Sequence, residues 1–269
     1  MTRAFVAVAL IVGAATTPFT VVGADPGRPH VHANGRAAQG RRFGRGQPVF
    51  PNPDYDGQFT FVRLRYGPPV AEVYQSIPWS HDYPTGERNF MRMLNEVTYL
   101  RPKTDETSII GLDQADLFRY PVVYMAEPGY WVMSDGEAAA FRAYLLKGGF
   151  VIFDDFAESR GGWAHFEQTF RQALPDVRFY DLDPSQQIFH SFFEIPSFDI
   201  LPQHYDIGRP VLRGVFEGND PTRRLMAMIN FNTDISEYWE DAGLGWKPVW
   251  ETNEAYKFGV NYVMYGMTH

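Results

Sequence analysis

The chain has 269 residues, a formal net charge of −8, 45% hydrophobic and 16% aromatic residues, and no cysteine. This length suits one large domain or two small ones with a sizeable core. The missing thiol excludes disulfides, thiolate nucleophiles and cysteine-ligated metals, and an acidic chain is a poor partner for nucleic-acid phosphates.

Residues 1–24 have the pattern of an export signal. Arg3 gives a positive start, Ala4 to Ala15 are continuously apolar, and Val22 and Ala24 fit the small-residue rule for cleavage before Asp25. The alternative is an uncleaved anchor, since the uncharged run is almost long enough to span a bilayer. Residues 25–57 are expected to form a disordered Gly/Arg/Pro-rich linker. Its first part carries five arginines against one aspartate, so the body beyond it is more acidic than the whole chain. A solvated tether is expected there, with contact to an anionic surface as the alternative.

Residues 58–269 read as one domain. Phe59 to Tyr66 alternates as a strand, and Phe90, Leu94 and Val97 mark a helix over Glu87 to Leu100. Strands follow around Ile109 and Ile110 and at Pro121 to Ala126. Ser134 and Glu137 have capping-box spacing, Phe141, Tyr144 and Leu145 make a buried stripe, and Gly148 and Gly149 stop that helix. Phe150 to Phe153 is a strand running into Asp154 and Asp155. Trp163, Phe166, Phe170 and Leu174 line the next helix, which Pro175 ends. The sequence VLRGVF and the sequence RRLMAMIN, separated by EGNDPT, suggest an antiparallel pair, and Asn253 to Met267 a closing helix despite two glycines. Strand–helix alternation predicts a largely parallel α/β sheet with an antiparallel extension near the C-terminus.

Taken in order, FVRLRYG, WSHDYPTGERNF, LFRYPVVYMAEPG, GGFVIFDDF and KFGVNYVMYGM resemble the bacterial domain of unknown function 4159 over residues 58–269. That family is similar in fold to class I glutamine amidotransferases, so the resemblance implies a flavodoxin-like three-layer sandwich and no particular activity. In amidotransferases a cysteine nucleophile follows a buried strand. Here Asp154 or Asp155 stands near that place, and Ala126 to Gly129 replaces the oxyanion loop. Glutaminase chemistry is excluded, because no thiol exists.

Ligand sites of open α/β sheets lie at the strand carboxyl ends. Trp79, His81, Asp82 and Tyr83 leave the first strand, Glu127 follows the third, Asp154 and Asp155 end the fourth, and Asn230 and Asp234 follow LMAMI. If they converge, they form a carboxylate-rich pocket rimmed by Trp79, Tyr83 and Trp131, suited to sugar hydroxyls, amines or a hard cation. One of the two aspartates is expected to cap the next helix, leaving the other as the best site candidate. Asp154, Asp155 and Glu127 are the catalytic candidates. His81 is favoured as a surface histidine over an oriented base, and Glu87 as support for a helix first turn. His165 is expected to be solvated and His190 structural. Tyr238, Trp239 and Trp246 to Glu251 are expected in the core, with an aromatic partner surface as the alternative. No spacing dictates a metal, no phosphate loop is present, and no cofactor is expected.

These features favour an exported, periplasmic or extracellular binding domain for a small ligand or an envelope protein, without a membrane span once the signal is removed. The alternatives are a cell-envelope hydrolase using strand-end carboxylates and a membrane-tethered assembly component.

Overall fold

The computed structural model describes residues 47–74, 76–157, 162–201 and 208–269. The expected export signal therefore lies outside the described residues, as does the linker up to residue 46. From residue 47 the expected linker joins the fold. Strand β1 (Gln47–Pro48) precedes β2 (Phe61–Arg65) and pairs antiparallel with β3 (Glu72–Val73). Asn52 bonds Ile109 through both its amide oxygen and its nitrogen, at 2.8 and 2.9 Å.

The chain continues through α1 (Thr85–Val97), β4 (Thr107–Gly111), β5 (Val122–Ala126), α2 (Asp135–Leu146) and β6 (Phe150–Phe156). It then forms α3 (Gly162–Ala173), β7 (Tyr180–Asp181), β8 (Val211–Phe216), β9 (Leu225–Phe231), α4 (Ser236–Glu240) and α5 (Val249–Thr268). Seven strands make one sheet in the order β4-β2-β5-β6-β9-β8-β7. The first five of these pair in parallel, while β8 pairs antiparallel with β9, as the turn-rich hexapeptide between VLRGVF and RRLMAMIN predicts, and β7 pairs antiparallel with β8.

Period-two alternation sorts the strand residues onto two cores. Phe61, Val122, Tyr124, Phe150 and Ile152 face α1 and α5, meeting Phe90, Leu94, Phe258 and Tyr262. Val62, Leu64, Val123, Met125, Val151 and Phe153 face α2 and α3, meeting Phe141, Leu145, Phe166 and Phe170. Each fully buried side chain of this size contributes roughly 1.5–3 kcal/mol of transfer free energy, so the sheet is covered on both sides. No helix among the described residues is long and apolar enough to cross a membrane.

Local signals explain several element ends. Ser134 Oγ accepts from the Glu137 amide at 3.3 Å, while the Ser134 amide donates to Glu137 Oε2 at 2.8 Å, closing the expected capping box on α2. Gly148 ends that helix at φ 109°, a left-handed conformation that suits glycine. Gly149 lets Tyr144 lie against the backbone, where a Cβ would come within 2.3 Å of the ring. Two boundaries differ from expectation. Helix α1 starts at Thr85, and β6 continues through both aspartates to Phe156 because a register shift after Phe153 absorbs the irregularity without ending the pairing.

Candidate functional site

Strand β2 has β4 on one side and β5 on the other, and the helices that follow β2 and β5 cover opposite faces of the sheet. Connections therefore part at the carboxyl ends of β2 and β5, where open α/β sheets leave a crevice. His81, from the loop after β2, lies at this place together with Glu127 from β5 and Asp155 from β6.

His81 Nδ1 is 2.9 Å from Asp155 Oδ2 and 3.2 Å from Glu127 Oε1, and its Nε2 is 3.8 Å from Asp82 Oδ1. The imidazole keeps 31% of its surface exposed, whereas Asp82 and Asp155 are almost fully buried. His81 is thus the open edge of a buried carboxylate cluster, not the free surface histidine expected. Burial opposes its charge, but hydrogen bonds to Asp155 and Glu127 and the Asp82 charge outweigh this and raise its pKa. Burial raises Asp82 and Asp155 as well. In Asp82 the charges of Glu240 and Glu237 add to the shift, while His81 opposes it.

The backbone builds this cluster in an unusual way. Asp82, Glu127 and Asp155 all have positive φ, at 62°, 44° and 59°. Aspartate enters that region more readily than most residues, and Glu127 has no such tolerance. Contacts around Glu127 hold it there. Its carbonyl accepts from Tyr66 OH at 2.8 Å, and its amide donates to the Asp154 carbonyl at 3.1 Å.

A buried ion pair sets the His81 loop. Arg63 on β2 donates from Nε to Glu87 Oε1 at 2.6 Å, and from a terminal nitrogen to the carbonyls of Trp79 and His81 at 3.3 and 3.1 Å. Its guanidinium also lies over the Tyr124 ring, 4.8 Å from the centroid. Glu87 sits in the first turn of α1, as expected, but its charge is held by Arg63 in the core and its pKa is raised by burial. A helix dipole alone does not account for so buried a carboxylate.

The two consecutive aspartates have different jobs. Asp154 accepts from Tyr124 OH at 2.9 Å, Asn230 Nδ2 at 3.0 Å, and the amides of Ile235 and Ser236 at 3.2 and 3.0 Å. It caps α4, which arrives through β9, rather than α3, the next helix in the chain. Asn230 in turn accepts from Tyr262 OH at 3.0 Å. Burial and the Asp234 charge push the Asp154 pKa up to about 7 against these donors. Asp155 turns the other way, to His81. Asp234 joins Asp154 as a structural group, since its Oδ1 accepts from the Glu237 amide and from Ser236 Oγ, both at 2.9 Å.

Three expected site residues lie elsewhere. Trp131 is 0% exposed and packs among Phe141, Phe153, Phe166 and Phe170, so it lines the α2–α3 core and no pocket rim. Trp79 is 2% exposed and belongs to the same core. Tyr83 is half-buried and bonds Thr107 at 2.9 Å, at the β4 edge. His165 is exposed, with Nε2 2.7 Å from the Trp131 carbonyl, and His190 is held by Glu194 at 2.6 Å and the Pro184 carbonyl at 2.7 Å. The aromatic C-terminal segment divides. Tyr238 and Trp239 are core, while Trp246 and Trp250 are 74% and 58% exposed.

Sequence reasoning missed Arg63, Tyr66, Ser236, Glu237 and Glu240. Ser236 Oγ reaches Asp82 Oδ2 at 3.1 Å across 154 positions of sequence, a separation at which no local pattern signals contact. It also gave no sign of a metal, yet the fold brings one ligand atom each from His81, Asp82 and Asp155 within 4.8 Å of one another.

The molecule is thus an α/β protein with a mostly parallel seven-stranded sheet and a histidine–carboxylate cluster at its strand ends. The chain belongs to the family described as Domain of unknown function (DUF4159), whose sequence model matches residues 60–267. No curated protein matches the chain.

Proposed function

We propose that this is a non-catalytic ligand-binding domain on an amidotransferase-like scaffold, acting outside the cytoplasm. In chain order the parallel strands are first to fifth, and their spatial order of second, first, third, fourth, fifth is that of flavodoxin-like folds. The chain has no cysteine to serve as an amidotransferase nucleophile. Export rests on the apolar start before Asp25, and a mature mass lacking the first 24 residues would support it.

The observation that carries the binding reading is the division between the aspartates. Asp154 is committed to structural donors, while Asp155 and Glu127 face the half-open imidazole of His81. A buried acidic crest edged by a partly exposed imidazole fits a ligand offering hydroxyls or amines, such as a cell-envelope glycan. The pairing of Asp155 with His81 Nδ1 also favours a second reading, hydrolysis with Asp155 as the acid/base and the imidazole orienting it.

Thermal-shift measurements on the full chain with glycans, amines and peptidoglycan fragments test both readings. Binding to the native state raises the melting temperature by mass action. The binding reading expects a shift that Asp155→Asn removes, with no product released from that ligand. Product release sustained over many turnovers favours hydrolysis. No shift with any ligand, or one that survives both His81→Ala and Asp155→Asn, removes the crest as the site.

A further inference from the structure

We infer that His81, Asp82 and Asp155 hold a divalent cation, with Zn²⁺ preferred and Mn²⁺ second. This rests on the reading of the strand-end cluster as the ligand site and names what it takes. The donors come from the loop after β2 and from strand β6, and their ligand atoms lie within 4.8 Å of one another, close enough for one ion to reach them with small side-chain adjustments at bonds of about 2.0–2.2 Å.

The surroundings of the imidazole point the same way. Its Nδ1 faces two carboxylates, at 2.9 Å from Asp155 and 3.2 Å from Glu127. One N–H cannot point straight at both oxygens, whereas a cation attracts every carboxylate around it. Support beyond the ligands is also in place. Ser236 Oγ lies 3.1 Å from Asp82 Oδ2, and Arg63 fixes the backbone at His81 through its carbonyl. Such outer bonds orient ligands and maintain metal affinity. One imidazole with carboxylates, in a chain without thiolates, selects borderline or hard divalent ions over soft monovalent ones. The exposed imidazole edge leaves open the side from which a hydroxyl or amine of the ligand would complete the coordination.

The test is calorimetric titration of the metal-stripped full chain with Zn²⁺ and, separately, Mn²⁺ in buffer free of chelators. One bound ion per chain is expected, with affinity weakened at least about tenfold in both His81→Ala and Asp155→Asn. His30 and His32, outside the described residues, form a sequence-local alternative, so His30→Ala/His32→Ala must retain the site. In that double variant, pulsed electron paramagnetic resonance of bound Mn²⁺ should show nitrogen coupling from an imidazole, which stays informative if the site variants fail to fold. Less than one ion per chain, affinity unchanged in folded His81→Ala, or loss of nitrogen coupling with His30 and His32 overturns the inference. If a glycan stabilises the chain through Asp155 while no ion binds, the metal fails and the binding reading stands. If the ion binds through His81 and no glycan or amine does, the metal stands alone.

Discussion

Replacing Asp154 by alanine should be far more damaging than the same change at Asp155, although the two are neighbours and equally hidden from solvent. Asp154 accepts four buried donors, from Tyr124, Asn230, Ile235 and Ser236. Alanine leaves all four without their acceptor. Each buried polar group so stranded costs roughly 1–3 kcal/mol, so even the lower figure gives a total of about 4 kcal/mol. Domains of this kind have only about 5–15 kcal/mol of stability. At roughly 2–4 °C per kcal/mol for this size, the melting temperature should fall by about 8–16 °C. Asp155 bonds the His81 imidazole, a partly exposed ring that also lies 3.2 Å from Glu127, and losing that bond should cost roughly 1 kcal/mol. Urea unfolding of both variants, followed by the fluorescence of buried Trp79, Trp131 and Trp239, gives the comparison directly. Equal losses at the two positions would refute the division between a structural and a site aspartate.

The same residue should shape the pH dependence of stability. The Asp154 pKa is raised from 3.8 to about 7 in the folded chain, so its contribution is fully present below about pH 4 and is lost as pH rises through about 7, on the order of 4 kcal/mol in all. Urea midpoints for Asp154→Asn should fall less steeply over that window than those of the parent, and parallel curves would contradict the assignment. Arg63→Met or Glu87→Met alone should each cost roughly 3–5 kcal/mol by stranding a buried charge, while the double variant should recover much of that; losses that merely add would show the pair is not coupled. Gly259→Ala should destabilise despite the helix propensity gained, because its Cβ would come within 2.5 Å of Trp239 and 2.6 Å of Phe90. Gly136→Ala on α2 meets nothing within 4 Å and should instead gain up to about 1 kcal/mol; denaturation curves showing the same sign for both would undo that argument.

The layers of this fold were legible because they rest on periodicity. Alternation along Phe59 to Tyr66 and the stripe of Phe141, Tyr144 and Leu145 depend on neighbours in sequence, and the strand and the helix they mark are both in the structure. The capping box at Ser134 was legible for the same reason. The closing helix was legible despite its glycines, but not their role, which depends on distant rings: Gly259 sits under Trp239 and Phe90, and Gly266 against Val122 and Phe150. Trp131 misled in the opposite sense. A tryptophan after a strand-end loop suggests a pocket wall, but the Gly129 to Tyr130 turn directs it into the α2–α3 core.

The site was legible in part, and its failures share one cause. The pattern placed His81, Asp82, Glu127 and Asp155 at strand ends, which sufficed to bring them together. It did not say which aspartate of the pair would turn toward them. That choice depends on the left-handed step at Asp155. With this step Asp154 stays on the α1–α5 face, beside Tyr124, and meets the start of α4, while Asp155 crosses to His81. An aspartate pair with no glycine beside it gives no warning of such a step, since positive φ is rare for any side-chain-bearing residue. The step is sustained from both ends, by the Glu127 amide on the Asp154 carbonyl and by the Asn232 amide on the Phe156 carbonyl. The strand therefore continues past the two aspartates, and one buried strand end serves the core with its first carboxylate and the crevice with its second.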